Sequence, residues 1–172
     1  MNRAKIEIDI GEIQFDSCSV GMAFLADSTG SAFLMLTAEN IRERTAVSMV
    51  LDSQEYERFK SLFKVAEEAI RDLRAHNWRL PKDIISLPMK LAITVGSVSH
   101  GGVCALVTIN IPSNASLAIS LYVVDTEGND GIPLELYTNQ YQQFKGLLHS
   151  TDDTLARLYS SRQIPSNFLA CR

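Results

Sequence analysis

No run in this 172-residue chain approaches the roughly 20 consecutive apolar residues that a membrane-spanning helix requires. Cysteine is scarce as well: Cys18, Cys104 and Cys171 are odd in number and widely spaced, which excludes a disulfide framework and the paired spacing of a zinc site. His76, His100 and His149 are scattered without recurring Cys or carboxylate companions. "GMAFLADSTGS" has glycines and serines but lacks the lysine of a phosphate-binding loop. With no catalytic constellation, the expectation is a non-enzyme that uses no metal and no cofactor. The opening "MNRAKIEIDIGEIQF" alternates apolar and charged residues where a signal peptide would be continuously apolar, so a cytoplasmic protein is expected. Basic excess is also missing. Net charge is −4, with 11 Lys/Arg against 14 Asp/Glu in residues 1–86 and 5 against 6 in residues 87–172.

What the chain does have is a repeat. "KIEIDIGEI" from Lys5 returns as "KLAITVGSV" from Lys90, 85 residues later, and "EYERFKSLFKVAEEAIRDL" from Glu55 returns as "QYQQFKGLLHSTDDTLARL" from Gln140 at the same offset. A strand and a helix that recur at one spacing point to a tandem duplication, and a repeat settles architecture before any local propensity does.

Within each copy, Ile6, Ile8 and Ile10 alternate with Lys5, Glu7 and Asp9, the period of a half-buried strand. Three further apolar segments follow in each half, separated by turn residues. A helix then begins, with Asp52 and Glu55 spaced as a capping box and Thr138 as the expected N-cap of the second copy. Tyr56, Phe59, Leu62, Phe63, Ala66, Ile70 and Leu73 recur every three or four residues, which leaves one apolar face to be buried against the nearest sheet, that of the same copy. The expected fold is therefore α+β: two tandem ββββα repeats, over residues 1–75 and 89–160, forming an intramolecular pseudo-dimer. Residues 76–88, with Trp78, Pro81 and Pro88, read as a packed linker, and 161–172 as a tail.

A strand followed by "x-x-Tyr-x-x-Phe-Lys-x-Leu", an acidic pair and a closing Leu resembles the single-stranded-DNA-binding transcriptional coactivators and the Whirly and Pur-alpha proteins. The residues that carry this are Leu51, Tyr56, Phe59, Lys60, Leu62, Glu67, Glu68 and Leu73, and their counterparts Leu136, Tyr141, Phe144, Lys145, Leu147, Asp152, Asp153 and Leu158. The resemblance implies paired Whirly-like domains whose curved sheet face binds single-stranded DNA or RNA through basic and aromatic side chains.

Alternation assigns the face away from the helix. Phe33, Tyr122 and Tyr137 are its stacking candidates, and Lys5, Lys90, Arg42 and Arg44 are its cations. Glu7 and Asp9 on the same face repel phosphate. The densest basic run, Arg71, Arg74, Arg79 and Lys82, reads as a solvated helix end within reach of phosphate. Two functions stay open. One is single-stranded nucleic-acid binding in replication, repair or transcription. The other is a protein-binding or self-associating module on the same scaffold, which the sparse charge of the face favours.

Overall fold

The alternation that opens each half forms an edge strand, and the three segments behind it add in sequence. A computed structural model describes residues 5–27, 31–76, 91–111, 117–127 and 130–161. In the first copy β1 (Lys5–Phe15), β2 (Cys18–Asp27), β3 (Ala32–Asn40) and β4 (Thr45–Leu51) make an antiparallel sheet in that order, followed by α1 (Ser53–Ala75). The second copy repeats it with β5 (Leu91–His100), β6 (Val103–Ile111), β7 (Ala118–Asp125), β8 (Gly131–Leu136) and α2 (Thr138–Ser160). The 85-residue offset holds to the level of irregularities. The bulge between Asp9 and Gly11 reappears between Thr94 and Gly96. The expected linker around Trp78, like Lys90, lies outside the described residues.

Strand alternation is as expected. Val20, Met22 and Phe24 of β2 face inward with Leu34 and Leu36 of β3 and Met49 and Leu51 of β4. Ile109, Leu121, Ile132 and Leu134 do the same in the second sheet. The inner faces meet along β4 and β8, so the duplicated units share one core. At ~1.5–3 kcal/mol per fully buried large side chain, that shared core is what makes two small units viable as one protein.

The helices depart from expectation. Neither settles chiefly on its own sheet: α1 crosses onto β5 and β6 of the second copy, and α2 crosses onto β1 of the first. Both crossings are seated at the bulge glycines. A Cβ at Gly96 would stand 2.7 Å from Leu62 Cδ2 of α1, and one at Gly11 would stand 3.5 Å from Leu147 Cδ1 of α2. The reason is room. The sheets' inner faces press against each other at β4 and β8, so the uncovered inner surface left for each helix lies at the other copy's first strand.

The α1 cap forms as expected, with Glu55 N donating to Asp52 Oδ1 and Asp52 N donating to Glu55 Oε2, both at 2.8 Å. The α2 cap does not. Its N-cap is Tyr137, not Thr138, because Thr138 already lies within the helix and the extended residue before it has no side-chain acceptor for the first turn. Among the described residues no helix is long and apolar enough to cross a membrane.

Candidate nucleic-acid interface

The motif that carried the family resemblance folds as a clasp between the two copies. Lys60 and Glu67 lie seven residues apart on α1, about 10 Å along the axis, which is too far to pair with each other. Each finds its partner on α2. Lys60 Nζ is 2.9 Å from Asp152 Oδ1, and Lys145 Nζ is 2.6 Å from Glu67 Oε1, so the two pairs are the same contact made twice across a pseudo-twofold axis. Tyr56 OH donates to the Leu148 carbonyl at 3.2 Å, and each Lys lies over the Tyr four residues before it. Phe144 sits between Phe59 and Phe63, with ring centroids 6.3 and 4.8 Å away.

The chemistry of the clasp is self-consistent. Burial raises the Tyr56 hydroxyl pKa far above the ordinary tyrosine range, and nearby Asp152 raises it further. Burial alone would lower Lys60, but hydrogen bonds to Glu57 and Asp152 outweigh it and hold the ammonium above its usual value. Burial would likewise raise Glu67, yet bonds from Lys145 and Tyr141 keep its carboxyl below normal. Tyr, Phe, Lys and the acid are therefore architectural here, holding one copy against the other. The signal was present in the sequence: a Lys and an acid at a spacing no single helix can close, written twice.

Of the nominated residues whose side chains the structure describes, Phe33, Arg42 and Arg44 belong to the first sheet and Tyr122 and Tyr137 to the second. The two inner faces share the core, so the outer faces look away from each other. Phe33 lies outward on the first sheet in register with Leu25 and Glu7, one rung from the Lys5–Asp27 pair. That face also presents Asp9, Glu12 and Glu39 outward. Arg42 and Arg44 occupy the turn at the far end of β3, where Asn40 Oδ1 accepts from the Arg42 and Glu43 amides and Arg44 takes a left-handed backbone. From Phe33 to that turn is roughly 23 Å of strand. These cations and that ring cannot act on one nucleotide.

The second sheet is different. Tyr122 and Tyr137 share its outer side, Tyr137 being 44% exposed. Tyr122 leans across Gly131 of the neighbouring strand, where any side chain would collide with its hydroxyl. Glu135 is the one charged side chain at the outward strand positions described, and it accepts from Tyr137 OH at 2.8 Å. Between the tyrosines and β5 runs a polar row: Asn110 Nδ2 donates to Ser120 Oγ at 2.7 Å, and Thr108 Oγ1 donates to Asn110 Oδ1 at 3.4 Å. Asn110 stands on this face by the same alternation, and as a neutral amide it has neither the ring nor the charge that singles out a binding residue in sequence.

No family model matches the chain, and no curated protein does. Among solved structures, the Whirly protein WHY1 from Arabidopsis thaliana aligns over 85% of this chain and 88% of its own at 12% identity, with a TM-score of 0.36. WHY3 from the same plant aligns over 91% and 96% at 12% identity, with a TM-score of 0.33. The likeness reaches the order of strands and helices and stops there.

Proposed function

We propose that the protein is a non-enzymatic binder of single-stranded nucleic acid, acting in replication, repair or transcription through the outer face of its second sheet. One observation carries the reading: Tyr122 and Tyr137 share a face whose described outward strand positions hold one carboxylate, Glu135, where those of the first sheet hold Glu7, Asp9, Glu12 and Glu39. Rings supply sequence-tolerant stacking, and the half-buried Asn110 and Thr108 supply polar groups beside them. The histidines support a binding role over catalysis, since each has a local structural partner: His100 Nδ1 lies 2.9 Å from Glu55, His76 bonds the Asp72 carbonyl, and His149 faces Asp153 on the exposed side of α2.

Titration of a labelled oligonucleotide at ~50 and ~200 mM salt tests it, with affinity expected to change little between the two, because the outward strand positions described have no Lys or Arg to displace counterions. Tyr122→Ala and Tyr137→Ala should each weaken binding by ~1–3 kcal/mol, roughly 5- to 150-fold. Unchanged affinity in the double variant would mean the strand lies elsewhere. A second reading rests on the same face. Depletion of charge is the compositional mark of a protein interface, and absence of oligonucleotide binding together with a defined oligomer by sedimentation would select it.

A further inference from the structure

The duplication supplies an internal control for each surface, because every cleft in one copy has a counterpart in the other. Between α1 and the first turns of α2 lies a cleft of ≈ 430 Å³ floored by Ile119 and Leu136 of the second sheet. Arg71 and Arg74 line it from α1, Tyr141 and Lys145 from α2, and Glu67 stands at the Lys145 end. Glu67 is engaged by Lys145 at 2.6 Å, and among the described residues neither Arg71 nor Arg74 makes an ion pair. At the equivalent place on the first sheet, Ala156 and Tyr159 stand where the arginines would be and Glu57 replaces Gln142. There Lys60 faces two carboxylates, Asp152 and Glu57. One copy thus has three cations to one carboxylate, and the other has one cation to two. Tyr56 is only 1% exposed where Tyr141 is half-buried, so the first copy offers less of this tyrosine to solvent.

We infer that the open cleft binds a phosphomonoester whose sugar also bears a flat base, the chemistry of a free nucleoside monophosphate or of a strand's phosphorylated end. Arg71 and Arg74 sit on adjacent helical turns, ~5–6 Å apart at Cβ, close enough for both guanidinium forks to reach one phosphate. A monoester carries close to two negative charges at neutral pH, which matches a pair of arginines better than a diester does. The apolar floor of Ile119 and Leu136 offers the base a contact, and the volume falls in the usual range for a small-molecule site. The α2 end of the cleft has no acidic residue in its first turn, unlike α1 with Glu55. This site deepens the nucleic-acid reading where the ligand is a strand's end, and is independent of it where the ligand is a free nucleotide.

The test titrates the full chain with thymidine monophosphate, thymidine and inorganic phosphate, followed by NMR of amides around Tyr141, and with an oligonucleotide phosphorylated at one end beside its unphosphorylated twin. Thymidine monophosphate should bind about tenfold or more tighter than either thymidine or phosphate, and Arg71→Gln with Arg74→Gln should remove that advantage without moving the thermal midpoint. Tyr122→Ala should leave it intact. Preference for the phosphorylated strand assigns the cleft to an end; equal affinity for the twins assigns it to free nucleotide. Thymidine monophosphate bound no better than phosphate, or bound equally by the double arginine variant, overturns the proposal. Loss of oligonucleotide binding with nucleotide binding intact would instead refute the sheet-face reading alone.

Discussion

Gly96→Ala, tested alone and in combination with Leu62→Ala, examines the helix crossing on which the architecture depends. At Gly96 a Cβ would come 2.7 Å from Leu62 Cδ2, closer than packed carbons tolerate. The contact is a terminal methyl of a half-buried side chain that can turn aside, so the cost falls at the low end of overpacking, ~1 kcal/mol. An unhindered Gly→Ala change would instead stabilise by ~0.4–1 kcal/mol through the unfolded chain. Leu62 is half-buried, so Leu62→Ala should cost about 1–2 kcal/mol, below the ~2–5 of a fully buried leucine. With the leucine gone the clash goes too, and Gly96→Ala becomes neutral or mildly stabilising. The coupling in the four-protein cycle should therefore be ~1–2 kcal/mol, read from denaturant midpoints or as roughly 2–4 °C per kcal/mol in Tm for a chain of this size. Gly11→Ala provides the control: it faces Leu147, not Leu62, and should be independent of residue 62. Additivity at Gly96 within ~0.5 kcal/mol, or coupling at Gly11, would place α1 on its own sheet and defeat the crossed arrangement.

Tyr137→Asp should raise stability by ~0.5–1 kcal/mol, since it gives α2 the side-chain cap and N-terminal charge that Asp52 provides to α1, while weakening oligonucleotide binding; a thermal melt and a titration on one sample read both. Charge reversal of Lys60 with Asp152 should restore most of what each single reversal loses, and a cycle with no coupling would mean the ion pair is absent in solution. Glu67 ionises below its ordinary value of 4.5 in the folded protein, so the stability it contributes is complete above that pH and fades as pH falls through the lowered value; Glu67→Gln should flatten that part of an acid-unfolding profile.

Strand alternation and the 85-residue offset were legible because both are local periodicities: a residue two along is on the same face, and Gly96 bulges because Gly11 does. The crossing was not legible in the apolar stripe, because Phe59 and Phe63 declare that α1 is buried without declaring against which sheet. Lys60 and Glu67 did carry that information, since seven residues of helix forbid their pairing and only a second helix answers both. The face proposed for nucleic acid was half legible. Alternation placed Tyr122 and Tyr137 on one side, but it could not say that Phe33 and Arg42 belong to the opposite side of a shared core. Arg71 and Arg74 read as a solvated helix end for the same reason: what lies beneath them is contributed by the other copy.

Fusion of two copies changes what can diverge. In a homodimer, any residue that opens one cleft opens both, and any charge added to one sheet face is added to its twin. Joined in one chain, the copies are free to differ, and here they differ selectively. The clasp, the bulges and the strand register are retained at equal offsets, because a change on either side of the axis would leave its partner unmatched. The outer faces, and the cleft positions of Arg71, Arg74 and Gln142, answer to no such partner. There the first copy has become acidic, and the second has lost its carboxylates but one and gained an arginine pair. Packing constraints would erase such a difference or be indifferent to it; a ligand held on the second copy's side would maintain it.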